Sequence, residues 1–206
     1  MNQFGKVRAV KSRLLGVSPV DTHREELEAY LRVVTTIKLA VDRVESILCK
    51  LGCLYEDMLD KVEVYYGCEN ASAFFDLQSA LNSVSRVHHE LGPIRFGQIR
   101  MRISSILAQI EVFEKKLANR DLAYYEKIHY ERKCVGGDDP VRFARNAQKR
   151  ANATTLYAET ERIVVFEIDT FLVSKFDSVH AIVEMYARFL ADFHSAVATQ
   201  ISLASF

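Results

Sequence analysis

Apolar residues recur at heptad spacing between Leu27 and Tyr65, which predicts a long first helix. They form two interleaved series: Leu27, Val34, Val41, Leu48, Tyr55, Val62 and Tyr30, Ile37, Val44, Leu51, Met58, Tyr65. This spacing is typical of coiled-coil-like helices, because one stripe of the helix then faces its neighbours. Asp21 and Thr22 are suited to cap its start, and the turn-forming stretch YYGCENAS at 65–72 predicts its end.

A second helical pattern runs from about residue 73 to residue 134. Its apolar stripe comprises Phe74, Leu77, Leu81, Val84, Leu91, Ile103, Ile106, Ile110, Phe113, Leu117 and Tyr124. Gly92–Pro93 interrupts the pattern, and a proline inside a helix removes a backbone donor and crowds the preceding turn. We therefore expect a kink at this point, with a complete break as the alternative.

The sequence VGGDDP at 135–140 predicts a loop followed by a third helix. Two glycines permit unusual backbone angles, an aspartate serves as a cap, and Pro140 suits the first helical position. The later part of the third helix repeats the heptad pattern in Leu172, Phe176, Val179, Val183, Tyr186, Leu190, Phe193 and Val197. Residues 141–162 carry few large apolar groups, so we expect the bundle to be thin near the Gly-Gly turn.

Composition agrees with one all-α domain at residues 21–206, preceded by a basic segment at 1–20. The chain has 206 residues, 49% of them apolar, with 3 Pro and 8 Gly, which allows one substantial core and few loops. No apolar run approaches the roughly 18 residues of a membrane span. Four cysteines occur without a signal-peptide pattern, so we expect reduced thiols and a cytoplasmic protein that meets membranes only peripherally.

Helices of this length would leave too much apolar surface in water for a stable monomer. The apolar residues are densest where the first helix, the early second helix and the late third helix coincide, and they include Phe176, Tyr186 and Phe193. Extended apolar surface marks an interface, and an isologous homodimer is the simplest symmetric arrangement. We therefore predict a homodimer with these three aromatic residues in its interface.

Charge is balanced overall but not locally. Lys plus Arg equals Asp plus Glu at 27 each, so a strong general field for nucleic acid is absent and no nucleic-acid partner is expected. Residues 95–150, however, hold 13 basic and 7 acidic side chains. On the second helix Arg102, Lys116, Arg120 and Lys127 fall within about 40° of arc, and on the third Arg142, Arg145 and Lys149 fall within about 60°. An ordinary solvated helix surface is the alternative interpretation.

Catalytic and metal-binding patterns are weak. Cys49 and Cys53 lie one helical turn apart without the usual zinc spacing, and the adjacent His88 and His89 would point about 100° apart on a helix. No Ser, Cys or carboxylate stands in a recognisable nucleophile or acid/base setting, and Gly136–Gly137 lacks the spacing of a nucleotide loop. We expect no enzyme activity, no cofactor and no metal.

The chain resembles a known family across nearly its whole length. The features are three long helices in this order, a kink signal in the second, the stretch LANRDLAYYEKIHYERK and, near the end, FLVSKFDSVHAIVEMYARFLADFHSAV. Together they are similar to a BAR domain of the amphiphysin and arfaptin kind. One departure is at Ala123–Tyr124–Tyr125, where the family commonly carries an Asp-Tyr-Asp-like step. Tyr124 is suited to keep the packing role, but both acidic partners are absent.

The resemblance implies a coiled-coil hairpin of three kinked antiparallel helices that dimerises into a crescent with a six-helix central bundle. It also implies binding to anionic phospholipid membranes through the concave face and tips, with sensing or induction of curvature, as in endocytosis and vesicle trafficking. The candidate membrane-binding residues are Arg102, Lys116, Arg120, Lys127, Arg142, Arg145, Lys149 and Arg150.

The N-terminal segment is a candidate amphipathic helix that inserts in lipid. Its candidate residues are Phe4, Lys6, Val7, Arg8 and Leu14. Lys11 projects within the apolar arc, so the alternative is that this segment simply extends the first helix.

Two further functions stand as alternatives to membrane binding. One is an adaptor that docks a small GTPase or a cytoskeletal partner, and the other is a structural coiled coil that scaffolds assemblies without lipid.

Overall fold

The computed structural model describes residues 21–66, 71–135 and 139–203. Over these ranges the chain forms four helices and no strand: α1 (Thr22–Tyr66), α2 (Ala71–Lys133), α3 (Pro140–Val173) and α4 (Lys175–Leu203). The predicted all-α fold is confirmed, and the predicted third helix corresponds to α3 and α4, which Ser174 separates. The candidate lipid-inserting residues Phe4, Lys6, Val7, Arg8 and Leu14 lie outside the described residues.

Local side chains account for where the helices begin. Asp21 Oδ1 accepts a hydrogen bond from the backbone N–H of Arg24 at 3.2 Å, so it caps α1. Asp139 accepts from the N–H groups of Val141 and Arg142 and caps α3, whose first residue is Pro140. Both starts agree with the sequence-based prediction, because caps depend on neighbouring residues alone.

Two features interrupt the long helical segments, one inside α2 and one between α3 and α4. α2 runs unbroken through Pro93, so the alternative of a complete break is wrong and the kinked-helix prediction is the one that holds. Between α3 and α4 only Ser174 leaves the helical conformation, and its N–H donates to the Phe171 carbonyl at 3.2 Å. The local hydrogen bonds of this serine satisfy backbone groups at the end of α3 that would otherwise lack a hydrogen-bond partner.

The helices are organised in two compact units. Among the described residues, unit 1 comprises 21–31, 108–135 and 139–175. Its core consists of Leu27, Tyr30, Ile110, Leu117, Ala123, Tyr125, Ala153, Val164, Ile168 and Leu172. The ring of Phe171 lies 5.6 Å from that of Tyr30 and 5.0 Å from that of Phe113. In α3 only Ala153 is buried before residue 162, which agrees with the alanine-rich sequence there.

Unit 2 comprises described residues 32–66, 71–107 and 176–203. Its core consists of Val34, Val41, Leu59, Ala80, Val84, Phe96, Ile99, Ile103, Ile106, Ile182, Phe189 and Phe193. Phe96 and Phe189 pack edge-to-face at 4.7 Å, and the rings of Phe189 and Phe193 lie 5.8 Å apart. Aromatic residues from α2 and α4 therefore pack together in this core.

Candidate functional site

Unit 1 carries exposed cations where α2 ends and α3 begins. We call residues 127–135 and 139–150 the turn end. Arg142, Arg145 and Arg150 are exposed, and no carboxylate among the described residues forms an ion pair with any of them. Within the described ranges, no ion pair has to break before these side chains reach an external anion. The sequence-based selection of these three residues therefore agrees with their placement on the surface.

The lysines of the turn end lie beside tyrosine rings. Lys149 Nζ on α3 lies 5.5 Å from the centre of the Tyr130 ring on α2, and Lys133 Nζ lies 5.7 Å from the same ring. Lys127 Nζ lies 5.3 Å from the Tyr157 ring and 3.9 Å from Glu131. Cation–π contacts position an ammonium without neutralising its charge, so Lys149 both joins α3 to α2 and keeps its charge for the surface.

Lys116 and Arg102 differ from the arginines of the turn end. Lys116 is half-buried in unit 1, pairs with Glu167 on α3 and lies 5.8 Å from the Phe113 ring. Its charge is already matched inside the chain. Arg102 belongs to unit 2 and is exposed. Of the predicted membrane-binding residues, the structure thus places Lys127, Arg142, Arg145, Lys149 and Arg150 together at the turn end.

Arg120 is not a surface residue, and its assignment to the membrane-binding set is wrong. Its side chain is only 6% exposed. The guanidinium donates to Asp21 and to Asp121, the latter at 2.8 Å, and its Nε lies 3.4 Å from Glu161. Helical-wheel geometry alone places Arg120 beside Arg102 on an exposed stripe. In the folded chain the start of α1 packs over this turn of α2 and brings Asp21 to Arg120. A helical wheel does not show that contact.

These groups form a buried charged cluster in unit 1. Arg24 on α1 completes it, with Nη2 at 2.7 Å from Asp121 and Nε at 3.4 Å from Asp21. Burial acts to raise the pKa of Asp21, but the hydrogen bond and charge of Arg120, together with Arg24, outweigh it and hold that pKa below its ordinary value. Burial acts to lower the pKa of Arg120, but its hydrogen bonds to Asp21 and Asp121 and the charges of these carboxylates outweigh burial and raise that pKa. Asp21 and Arg120 are therefore both charged at neutral pH.

The cluster extends to a tyrosine on α3. Burial and the neighbouring Glu161 raise the pKa of Tyr157, so its hydroxyl stays protonated at neutral pH. Its ring lies 5.4 Å from that of Tyr124, the residue at which the family pattern is only partly kept. Sequence analysis did not predict this cluster. Its sequence signal is that two short segments, Asp21–Arg24 and Arg120–Asp121, each contain an aspartate and an arginine, but they lie about a hundred positions apart.

The predicted dimer-interface residues on α4 fall into different environments. Phe176 is 76% exposed and Tyr186 is half-buried. Phe193 is only 4% exposed, because its ring packs edge-to-face against His88 at 4.6 Å inside the same chain. The assignment of Phe193 to the interface is therefore wrong, since its side chain belongs to the core of unit 2.

Unit 2 nevertheless exposes two apolar stripes. The α1 stripe consists of Val33, Ile47, Leu51, Leu54 and Met58, which fall within about 60° of arc at 100° per residue. The α4 stripe consists of Phe176, Val183 and Ile201, which fall within about 20° of arc. Each stripe lies beside the buried face of its own helix, so these two helices are apolar over more of their circumference than their own core requires.

No group of three or more residues suited to hold a metal ion occurs in the part of the chain that the structure describes. Cys49 and Cys53 are exposed free thiols, and Cys134 is half-buried. His88 packs near Tyr55 at 5.6 Å, whereas His89 Nε2 lies 2.9 Å from Glu56. The two adjacent histidines thus engage different partners, as their positions on a helix predict.

A membrane-spanning segment is also absent from the helices within the described ranges. None of them is both long enough and apolar enough to cross a bilayer.

Comparison with known proteins identifies the fold. No protein-family model and no curated protein sequence matches the chain. Among solved structures, it is similar to a BAR protein from Galdieria sulphuraria with a TM-score of 0.59 and 16% identity, over 87% of this chain and 93% of that one. A second similarity, to the N-terminal I-BAR domain of a D. discoideum protein, has a TM-score of 0.42 and 11% identity over 99% and 88% of the two chains.

The first of these similarities covers most of both chains, so the protein has the all-α fold of a BAR domain. The predicted resemblance is thereby confirmed at the level of the fold.

Proposed function

We propose that this chain acts as a homodimer that binds anionic membranes from outside and senses or induces their curvature. The observation that carries the proposal is the exposure of Arg142, Arg145 and Arg150 at the turn end, without a carboxylate partner among the described residues. Guanidinium groups bind phosphate through paired N–H donors. A surface with several unmatched guanidinium groups is therefore suited to phospholipid headgroups.

The attraction per protomer is modest. Each Lys or Arg near an anionic leaflet contributes about 1 kcal/mol, so three arginines contribute about 3 kcal/mol per protomer and about 6 kcal/mol per dimer before ordering costs. The interaction is screened over about 8 Å at physiological salt. Dimerisation therefore matters, because the second turn end binds at a high effective concentration once the first is engaged.

The two apolar stripes of unit 2 support the homodimer. Fully burying a large apolar side chain contributes about 1.5–3 kcal/mol, and the α1 and α4 stripes together expose eight such residues. A second copy offers the same stripes, as an isologous interface requires. Phe176 and Tyr186 remain proposed members of this interface, whereas Phe193 stabilises it only indirectly through the protomer core.

The test is co-sedimentation with liposomes that contain or lack anionic phosphatidylserine. Wild-type protein should pellet with anionic vesicles, less at high salt and little with neutral ones. The variant R142E/R145E/R150E should lose this binding while keeping helicity and dimer mass, because its substituted side chains are exposed.

The matched control is R43E/R86E/R162E, which changes the net charge equally at three positions outside the turn end. Equal loss in both variants would mean that only overall charge matters. Wild-type binding by R142E/R145E/R150E would show that these arginines are an ordinary solvated surface. If the wild-type protein binds no anionic vesicle, the adaptor that docks a small GTPase or cytoskeletal partner takes precedence.

A further inference from the structure

Two valines at the turn end have no place in the core. Val135, just after α2, is 86% exposed, and Val141, in the first turn of α3, is 79% exposed. Phe143 follows and is partly exposed. Val135 follows the end of α2 and Val141 follows the start of α3, so both belong to the turn end of unit 1. Neither valine contributes to the core of that unit, so the fold gives no reason for an apolar side chain at these two positions.

Basic residues flank this apolar pair along the chain, outside Asp138 and Asp139. Arg142 follows Val141 directly, Arg145 lies one helical turn further on, and Lys133 precedes Val135 by two residues. An apolar pair flanked by cations suits the boundary between headgroups and acyl chains of an anionic bilayer, where both kinds of side chain find partners. A protein partner is a poorer match, because a specific interface usually buries about 800 Å² on each side, which two valines and part of Phe143 do not supply.

We propose that Val135 and Val141 insert below the headgroups when the turn end binds a membrane. The inference rests on the proposed function and adds a second, salt-insensitive component to the binding. The arginines bind phosphate at the level of the headgroups, while the valines leave water for the acyl boundary. Binding should accordingly retain a fraction at salt concentrations that screen the arginines.

The chain contains no tryptophan, so a single introduced tryptophan reports its own surroundings. The variants are V135W and V141W. The control is V173W, because Val173 is 81% exposed, belongs to the same unit and ends α3, about 48 Å along the helix from Val141. With anionic vesicles, V135W and V141W should show blue-shifted emission and quenching by lipids brominated high on their acyl chains. V173W should show neither.

A second variant, V135S/V141S, measures the contribution of insertion to affinity. Both positions are exposed, so helicity and dimer mass should match wild type. Its affinity for anionic vesicles should fall by up to about 200-fold per protomer, because serine lacks both methyl groups of valine and the loss of four buried methyl groups corresponds to about 3 kcal/mol. The fraction that the wild-type protein retains at high salt should disappear in this variant.

The outcomes separate the inference from the proposed function. If V135W and V141W pellet with vesicles but their emission is unchanged, insertion is wrong while membrane binding stands. Wild-type affinity and salt resistance in V135S/V141S would likewise exclude insertion and leave membrane binding intact. If the wild-type protein does not bind anionic vesicles at all, both proposals are overturned together.

Discussion

Replacing Arg120 by Met should destabilise the fold more than any surface substitution. Arg120 is buried and forms ion pairs with Asp21, Asp121 and Glu161. Methionine removes the charge and the donors, so these carboxylates lose their central partner. Removing one member of a buried ion pair costs about 3–5 kcal/mol, because the remaining charge is left without compensation. For a chain of this length that corresponds to a melting temperature lower by roughly 6–20 °C.

The dependence on pH distinguishes lost charge pairing from lost packing. Arg120 and Arg24 hold the pKa of Asp21 below its usual 3.8, so the stabilisation is present above that pH and is lost as pH falls through the pKa of the folded state. In R120M the pKa of Asp21 is lowered less than in the wild type. The carboxylates therefore become protonated, and their mutual repulsion is relieved, at a higher pH. The difference in unfolding free energy between wild type and R120M should therefore shrink as pH falls from 7 towards 3.

The assay is urea unfolding followed by circular dichroism, at one fixed protomer concentration because the stability of the proposed dimer depends on that concentration. R102M is the control, since Arg102 is exposed and its replacement should change stability by less than about 0.5 kcal/mol. D21N/R120M should recover part of the loss, because Asp21 and Arg120 are directly paired. A loss below about 1 kcal/mol in R120M, together with weaker vesicle binding, would refute this reasoning and restore Arg120 to the membrane surface.

Three further predictions concern unit 2. V183D should give a folded monomer by light scattering, because Val183 belongs to the exposed α4 stripe, and a dimer of wild-type mass would contradict this. F193D should instead unfold the chain, measured as lost helicity, because Phe193 is buried in the protomer. Burial lowers the pKa of His88 below 6.5, so wild-type stability should decrease as pH falls below about 6.5. H88F keeps an aromatic ring between Tyr55 and Phe193, so its stability should decrease less than that of the wild type as pH falls. An equal decrease in H88F would exclude His88 as the source of the pH dependence.

The sequence alone determined the type and approximate bounds of the helices. Heptad spacing extends over several turns, and the caps at Asp21 and Asp139 act on backbone groups only two or three residues away. Such signals are complete within one segment. The arginines at the start of α3 could also be assigned to the surface, because this helix has almost no large apolar residue there to bury.

Only the tertiary structure decided which polar and apolar side chains a neighbouring helix covers. Arg120 and Asp21 are 99 positions apart, and a helical wheel gives the direction of a side chain but not what lies opposite it. The same reason separates Phe176 from Phe193. Both belong to one heptad series on α4, whose apolar arc is wider than the core of one chain. The packing of α4 against its neighbours buries one ring and leaves the other at the surface, because contact depends on where the helices meet.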